Sequence, residues 1–236
     1  MARKTRTRQK QNADNFAQHN HFELKRIEPL THNQELFFKS YERGQNIVGH
    51  GYPGTGKSFL SVYLSLKEIL ETEKYNQLVI IRSAVPSRDI GFLKGTEKEK
   101  AMVYEMPYID IVDDLFGRGD GYNILKMKKL ISFETTSFLR SRTLDNAIIF
   151  ADEIQNMTYQ ELDTIMGRPG DNSKIILCGD FRQTDLNKPH EKSGIENFMK
   201  ITSAMPSMDH IEFGVDDIVR SGIVKEYIIK KIEMGF

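Results

Sequence analysis

The chain offers one cysteine, Cys178, in 236 residues. A single thiol excludes an intrachain disulfide framework and suits a reducing, cytoplasmic setting. No apolar run approaches the roughly 18 residues of a membrane span, and the basic start MARKTRTRQKQ lacks the apolar core of a secretory signal. With 17 Gly and 7 Pro the chain is too poor in both for a low-complexity sequence. Six scattered histidines and the lone cysteine give no zinc spacing, His19 and His21 forming only a weak pair. At 39% apolar and 28% charged, the rest is ordinary globular material. Its length suits one ample α/β domain or two very small ones.

The formal net charge of zero conceals an asymmetry. Arg3, Lys4, Arg6, Arg8 and Lys10 stand in the first ten residues without an acid, which leaves the remainder at net −5. Residues 1–20 are expected to be a disordered basic arm, either a solvated terminus or an arm that neutralises nucleic-acid phosphates. A folded domain is expected over 21–236. Behind Pro29, Leu36, Phe37 and Tyr41 have helical spacing, and a short strand NIVGH follows. The segment KSFLSVYLSLKEILETEK puts Phe59, Val62, Tyr63, Leu66, Ile69 and Leu70 on one helical stripe.

Three later runs, QLVIIRS (77–83), NAIIFAD (146–152) and KIILCGD (174–180), are almost continuously apolar, as strands covered on both faces of a parallel sheet must be. ISFETTSFL (131–139) is a weaker fourth. Thr158 and Glu161 have capping-box spacing, with Gly167 to Gly170 ending that helix. The Lys- and Glu-rich stretch 86–130 reads as an insertion, an excursion of loop and helix. Alternating strands and helices predict a three-layer α/β fold with a mostly parallel central sheet and helices on both faces.

Between the strand NIVGH and the amphipathic helix stands Gly51-Tyr52-Pro53-Gly54-Thr55-Gly56-Lys57-Ser58, a full match to G-x-x-x-x-G-K-[ST]. Glycines let backbone N–H groups curl around a β-phosphate, and the next helix aims its positive end at it. Lys57 would reach the β and γ oxygens, and the Ser58 hydroxyl would ligate Mg2+. Asp152, closing the strand AIIFAD, would hold Mg2+ opposite Ser58, and Glu153 stands where a carboxylate can activate water. That pair favours hydrolysis over transfer, because a water-activating carboxylate is a liability to a kinase. In CGDFRQTD (178–185), Asp180 and Gln183 leave the next strand on the same edge, and Gln183 is placed to sense a γ-phosphate. NKPH (187–190) begins like the guanine-reading N-K-x-D but has His190 in place of Asp, which favours ATP over GTP. Asp110, Asp113 and Asp114, at i, i+3, i+4, read as a solvated face before a nuclease site.

The phrases GYPGTGKSFL, SRDIGFLKGTEKEK, TTSFLRSRTLDNAIIFADEIQNMT, SKIILCGDFRQTDL and DDIVRSGIV resemble, in order, the PhoH-like ATPases, relatives of superfamily-one helicases. They span about residues 28–230, and the short form is similar to phage-encoded members. The resemblance implies a RecA/helicase-like P-loop NTPase binding ATP and Mg2+. It implies a nucleotide-binding set of Gln34 (to adenine), Gly51 through Ser58, and Phe59. It also implies Arg220 near the γ-phosphate, with Arg140 and Arg142 as other cations, and places Arg82 and PSRDIGFLKG toward nucleic acid. Two-core helicases close ATP between cores. One core here implies a finger within the core or from a neighbouring subunit, hence a homo-oligomer such as a hexameric ring. The expected function is ATP hydrolysis coupled to RNA or single-stranded nucleic acid, with no membrane partner. The alternatives are a small-substrate phosphotransferase or a non-catalytic ATP-dependent scaffold.

Overall fold

The computed structural model describes residues 22–83, 97–136, 139, 142–181 and 189–234, with backbone alone for 97–101 and 189–193. The arm 1–20, Arg140, Gln183 and the PSRDIGFLKG segment lie outside the described residues. The elements are α1 (His32–Glu42), β1 (Asn46–Gly51), α2 (Lys57–Thr72), β2 (Gln77–Arg82), α3 (Glu97–Phe116), α4 (Gly121–Met127), β3 (Ile131–Thr135), β4 (Ala147–Asp152), α5 (Tyr159–Met166), β5 (Lys174–Gly179), α6 (Pro189–Ser203), β6 (Met208–Phe213) and α7 (Gly222–Glu233). Short 3-10 turns follow β4 (Ile154–Asn156) and β6 (Val215–Asp217).

The strands form one sheet in the order β3-β2-β4-β5-β1-β6, and every pairing is parallel. The expected sheet is therefore present, and its described strands are parallel throughout. β4 and β5 are buried at all six positions, which explains their unbroken apolar runs. Side chains alternate between two cores. Ile148 and Phe150 pack with Ile47, Ile80 and Ile176 beneath α1, α2, α3 and α4. Ile149 and Ala151 pack with Val48, Val79 and Leu177 against Leu162 and Ile165 of α5 and Ile195 and Phe198 of α6. Burying each large side chain contributes about 1.5–3 kcal/mol, so the central strands are the firmest part of the fold.

The α2 stripe is wider than its spacing predicts. Leu60, Ser61, Leu64 and Ser65 are buried beside Val62, Tyr63, Leu66 and Ile69, whereas Leu70 is exposed. The helix is covered on more than one side, and its serine hydroxyls bond back to the carbonyls of Lys57 (2.8 Å) and Ser61 (2.6 Å), which satisfies them in apolar surroundings. The 86–130 excursion contains two helices, one with Pro107 inside it. No helix among the described residues is long and apolar enough to cross a membrane.

Candidate nucleotide site

Parallel strands bring their C-terminal ends to one edge, where open α/β sheets bind ligands. The neighbouring ends of β4, β5, β1 and β6 deliver Asp152-Glu153, Gly179-Asp180, the loop residues Pro53 to Gly56 and, beyond the 3-10 turn, Val219-Arg220. These residues line one cavity of about 570 Å³. The chain before α1 walls its side with Ile27, Glu28 and Leu30, and α3 contributes Ile111.

The loop has the backbone that its glycines permit. Gly51, Gly54 and Gly56 have φ of +117°, +74° and +89°, where a Cβ is disfavoured. At Gly51 the constraint is also one of space, since a Cβ would lie 2.2 Å from the Phe213 carbonyl oxygen on β6. Thr55 is buried, and its hydroxyl donates to the Tyr52 carbonyl at 3.0 Å. Gly56 ends the loop as the N-cap of α2, leaving the helix's first N–H groups without a side-chain cap. Pro53, Ser58 and Phe59 line the cavity with Gly54 and Gly56, whereas Gly51 and Tyr52 do not line it and hold the loop to β6, the Tyr52 N–H donating to the Phe213 carbonyl at 3.1 Å.

Lys57 is buried, and its Nζ donates to the carbonyls of Gly51 (3.0 Å) and Tyr52 (2.6 Å) and to the Thr55 hydroxyl (3.2 Å). Burial lowers its pKa, against the pull of the Asp180, Asp152 and Glu153 carboxylates. Gln34 lines the cavity but is 3% exposed. Its Nε2 donates to the Thr55 carbonyl (2.9 Å) and its Oε1 accepts from the Leu30 N–H (2.8 Å), so the amide ties the pre-α1 segment to the loop.

Asp152 is buried at the end of β4. Tyr108 of α3 donates its hydroxyl to Asp152 Oδ2 at 2.9 Å, and the Glu153 N–H donates to Oδ1 at 3.0 Å. Burial pushes its carboxyl up, the Glu153 charge adds to this, and hydrogen bonds from Ser58 and Tyr108 oppose it. Glu153 has left-handed backbone (φ +54°, ψ +41°), strained for a side chain of its size. Its carboxylate is bonded to the Nε2 of Gln155, whose Oε1 accepts from the Asp180 N–H at 3.0 Å.

Arg220 borders the cavity, and its stem lies against the loop, so that a Cβ on Gly54 would come within 2.7 Å of its Cγ. The adjoining Val219 N–H donates to the Gly54 carbonyl at 3.0 Å. Arg142 instead pairs with Glu134 on β3 at 2.8 Å and does not line the cavity. The acidic trio is structural surface: Asp114 pairs with Lys25, and Asp113 accepts from the Tyr122 N–H at the start of α4. Among the described residues no group of three or more His, Cys, Asp or Glu could hold a metal unaided.

The profile of the PhoH-like protein family matches residues 26–233. The chain belongs to that family. A PhoH-like protein of Bacillus subtilis (strain 168) is 31% identical over 205 residues, 86% of this chain and 63% of that protein. One from Mycobacterium leprae (strain TN) is 30% identical over 207 residues, again 86% of this chain and 58% of the relative. This PhoH-like chain thus spans about six-tenths of the length of these relatives. Among solved structures, the large terminase from a thermophilic bacteriophage superposes with a TM-score of 0.50 at 12% identity. The match covers 87% of this chain and 50% of the terminase and shows a shared P-loop NTPase fold.

The fold brings Gln34, the 51–59 segment, Asp152, Glu153 and Arg220 of this PhoH-like chain together. Sequence reasoning missed Tyr108 and Gln155. Tyr108 sits in the excursion, where nothing in the spacing points to β4. Gln155 stands inside a motif already singled out, but only the tight 3-10 turn brings it back onto Glu153. Glu161 was read as a capping residue and is more than that. Its carboxylate caps α5 with Thr158 and also accepts from the hydroxyls of Ser83 and Thr136, which follow β2 and β3.

Proposed function

We propose that this protein is an Mg2+-dependent ATP-hydrolysing enzyme whose cycle is coupled to RNA or single-stranded nucleic acid. The observation that carries the reading is the shared cavity. It has the glycine loop and Lys57 on one side and the Asp152-Glu153 pair on the other. A loop that merely capped a helix would need neither a buried lysine nor facing carboxylates.

In this reading the loop N–H groups and Lys57 hold the β- and γ-phosphates, and Lys57 exchanges its loop carbonyls for phosphate oxygens. Family resemblance directs adenine toward Gln34, whose second Nε2 proton is beyond the bond to Thr55. Glu153 takes a proton from water as the water oxygen bonds the γ-phosphorus. The bond from that phosphorus to the bridging oxygen breaks, leaving ADP and inorganic phosphate. Arg220 offsets charge on the phosphate oxygens, within its own core or from a neighbouring subunit of a homo-oligomer. Gln183 senses the γ-phosphate.

The donor set fits magnesium, a hard cation bound by one or two protein oxygens with phosphates and waters completing its shell. Ser58 and Asp152 would supply those oxygens. Bound there, the ion would neutralise charge across the β- and γ-phosphates. The five basic residues of the arm support the nucleic-acid partner.

Phosphate release measured with and without single-stranded RNA, for the parent and Glu153→Gln, tests the reading. Release that RNA stimulates and the variant loses is expected. Equal release from parent and variant would sink the mechanism. A small-substrate phosphotransferase would need an added acceptor, and a scaffold would bind ATP without turnover. Light-scattering mass with and without ATP tests the oligomer.

A further inference from the structure

Glu153 is often the end of the account at such a site, but here its carboxylate is itself held. The partner is Gln155, 3% exposed and two residues further on. The 3-10 turn that returns it is closed by bonds from the Asn156 N–H to the Glu153 carbonyl (2.9 Å) and from the Met157 N–H to the Ile154 carbonyl (3.1 Å). One amide therefore grips two strand ends, donating to Glu153 after β4 and accepting from the Asp180 N–H after β5. Room for it exists because residue 179 is glycine. A Cβ there would lie 2.7 Å from Gln155 Oε1 and 2.8 Å from Ile154 Cγ1.

We infer that Gln155 is a positioning residue, which fixes the Glu153 carboxylate for water activation and yokes it to the chain leaving β5. The inference rests on the hydrolase reading above. An amide suits this task because it donates and accepts while neutral. A carboxylate in its place would repel Glu153 and could not donate to it. An aliphatic side chain would leave the Asp180 N–H unpaired. With Oε2 of Glu153 taken up by the amide, Oε1 is the oxygen left for the water proton. Because the other end of the amide holds the Asp180 N–H, the carboxylate is tied to the end of β5.

Two substitutions reach this yoke by different routes. Gln155→Ala removes it, and Gly179→Ala displaces it while leaving Gln155 in the chain. In the full chain with Mg2+, each is expected to lower kcat by about 10- to 100-fold, the usual cost of a misplaced catalytic group. The Kd for a fluorescent ATP analogue should stay within about threefold, because the phosphate-binding loop is untouched. The double variant should be no slower than the slower single one, since both remove the same contact. Thermal unfolding midpoints confirm that each protein is folded. Parental kcat in both single variants would overturn the inference while leaving the hydrolase reading intact. So would losses that multiply in the double variant, or a Kd that weakens in step with kcat. A parent without phosphate release would defeat the hydrolase reading and this inference together.

Discussion

Replacing Asp152 by Asn should make the metal-free protein more stable. Burial raises the Asp152 carboxyl from 3.8 to about 6, with the Glu153 charge as the second cause. Each tenfold change in proton affinity is worth about 1.4 kcal/mol. Holding the ionised form here therefore costs on the order of 2–3 kcal/mol. The sign follows from proton counting. Between pH 4 and 6 the folded state carries more of this proton than the unfolded chain, so stability falls as pH rises through that window. Above about pH 6 the cost is complete. An Asn fits the same bonds, its oxygen accepting from the Glu153 N–H and its NH2 donating to a turned Tyr108 hydroxyl. Urea unfolding in EDTA should show Asp152→Asn more stable than the parent by about 1–3 kcal/mol at pH 7.5, the gap roughly halved at pH 5 and closed below about pH 4. Millimolar Mg2+ should narrow the gap, because an ion that binds only the carboxylate stabilises only the parent. A variant less stable than the parent at pH 7.5, or a difference independent of pH, would refute the reasoning.

Two further substitutions probe the frame of the site. Gly51→Ala would drive a Cβ to 2.2 Å from the Phe213 carbonyl oxygen at a left-handed backbone position. It should cost about 3 kcal/mol or more in urea unfolding by separating β1 from β6, and parental stability would contradict the packing described. Tyr108→Phe removes the hydroxyl held 2.9 Å from Asp152 Oδ2. It should raise the Mg2+ concentration for half-maximal phosphate release by about 10-fold, since a hydrogen bond to a charged group is worth about 1.5–3 kcal/mol. An unchanged Mg2+ dependence would show that the phenol does not orient the carboxylate.

What could be read from the sequence was whatever depends on short-range pattern. The interior strands β1, β2, β4 and β5 announce themselves because both faces are buried, and the loop because only glycine tolerates its backbone. β6 escaped notice since it lies at the sheet edge. Its MDHIEF sequence exposes Glu212 and only partly covers Asp209 and His210, so no apolar run marks it. A helix was expected somewhere in the 86–130 excursion, but the bounds of α3 were not legible because Pro107 and the charged residues blur its apolar spacing. At the site, residues contiguous with a motif were found. Tyr108, 44 residues from the carboxylate it touches, was not, because contact across the sheet edge leaves no periodic trace. Gln34 was found by resemblance, but its grip on Leu30 and Thr55 is a property of the packed chain alone.

The bond from the Val219 N–H to the Gly54 carbonyl has a mechanical consequence. Three residues beyond it the chain enters α7, none of whose side chains is buried. The helix is thus a lever with its fulcrum on the phosphate loop. Its 12 residues reach about 18 Å at 1.5 Å per residue. A tilt of about 5° at the loop would sweep Met234 through roughly 1.5 Å over that arm. Ile223 and Tyr227, 80% and 68% exposed, ride on it. A change too small to notice among the phosphates would be written large on the outside of the molecule.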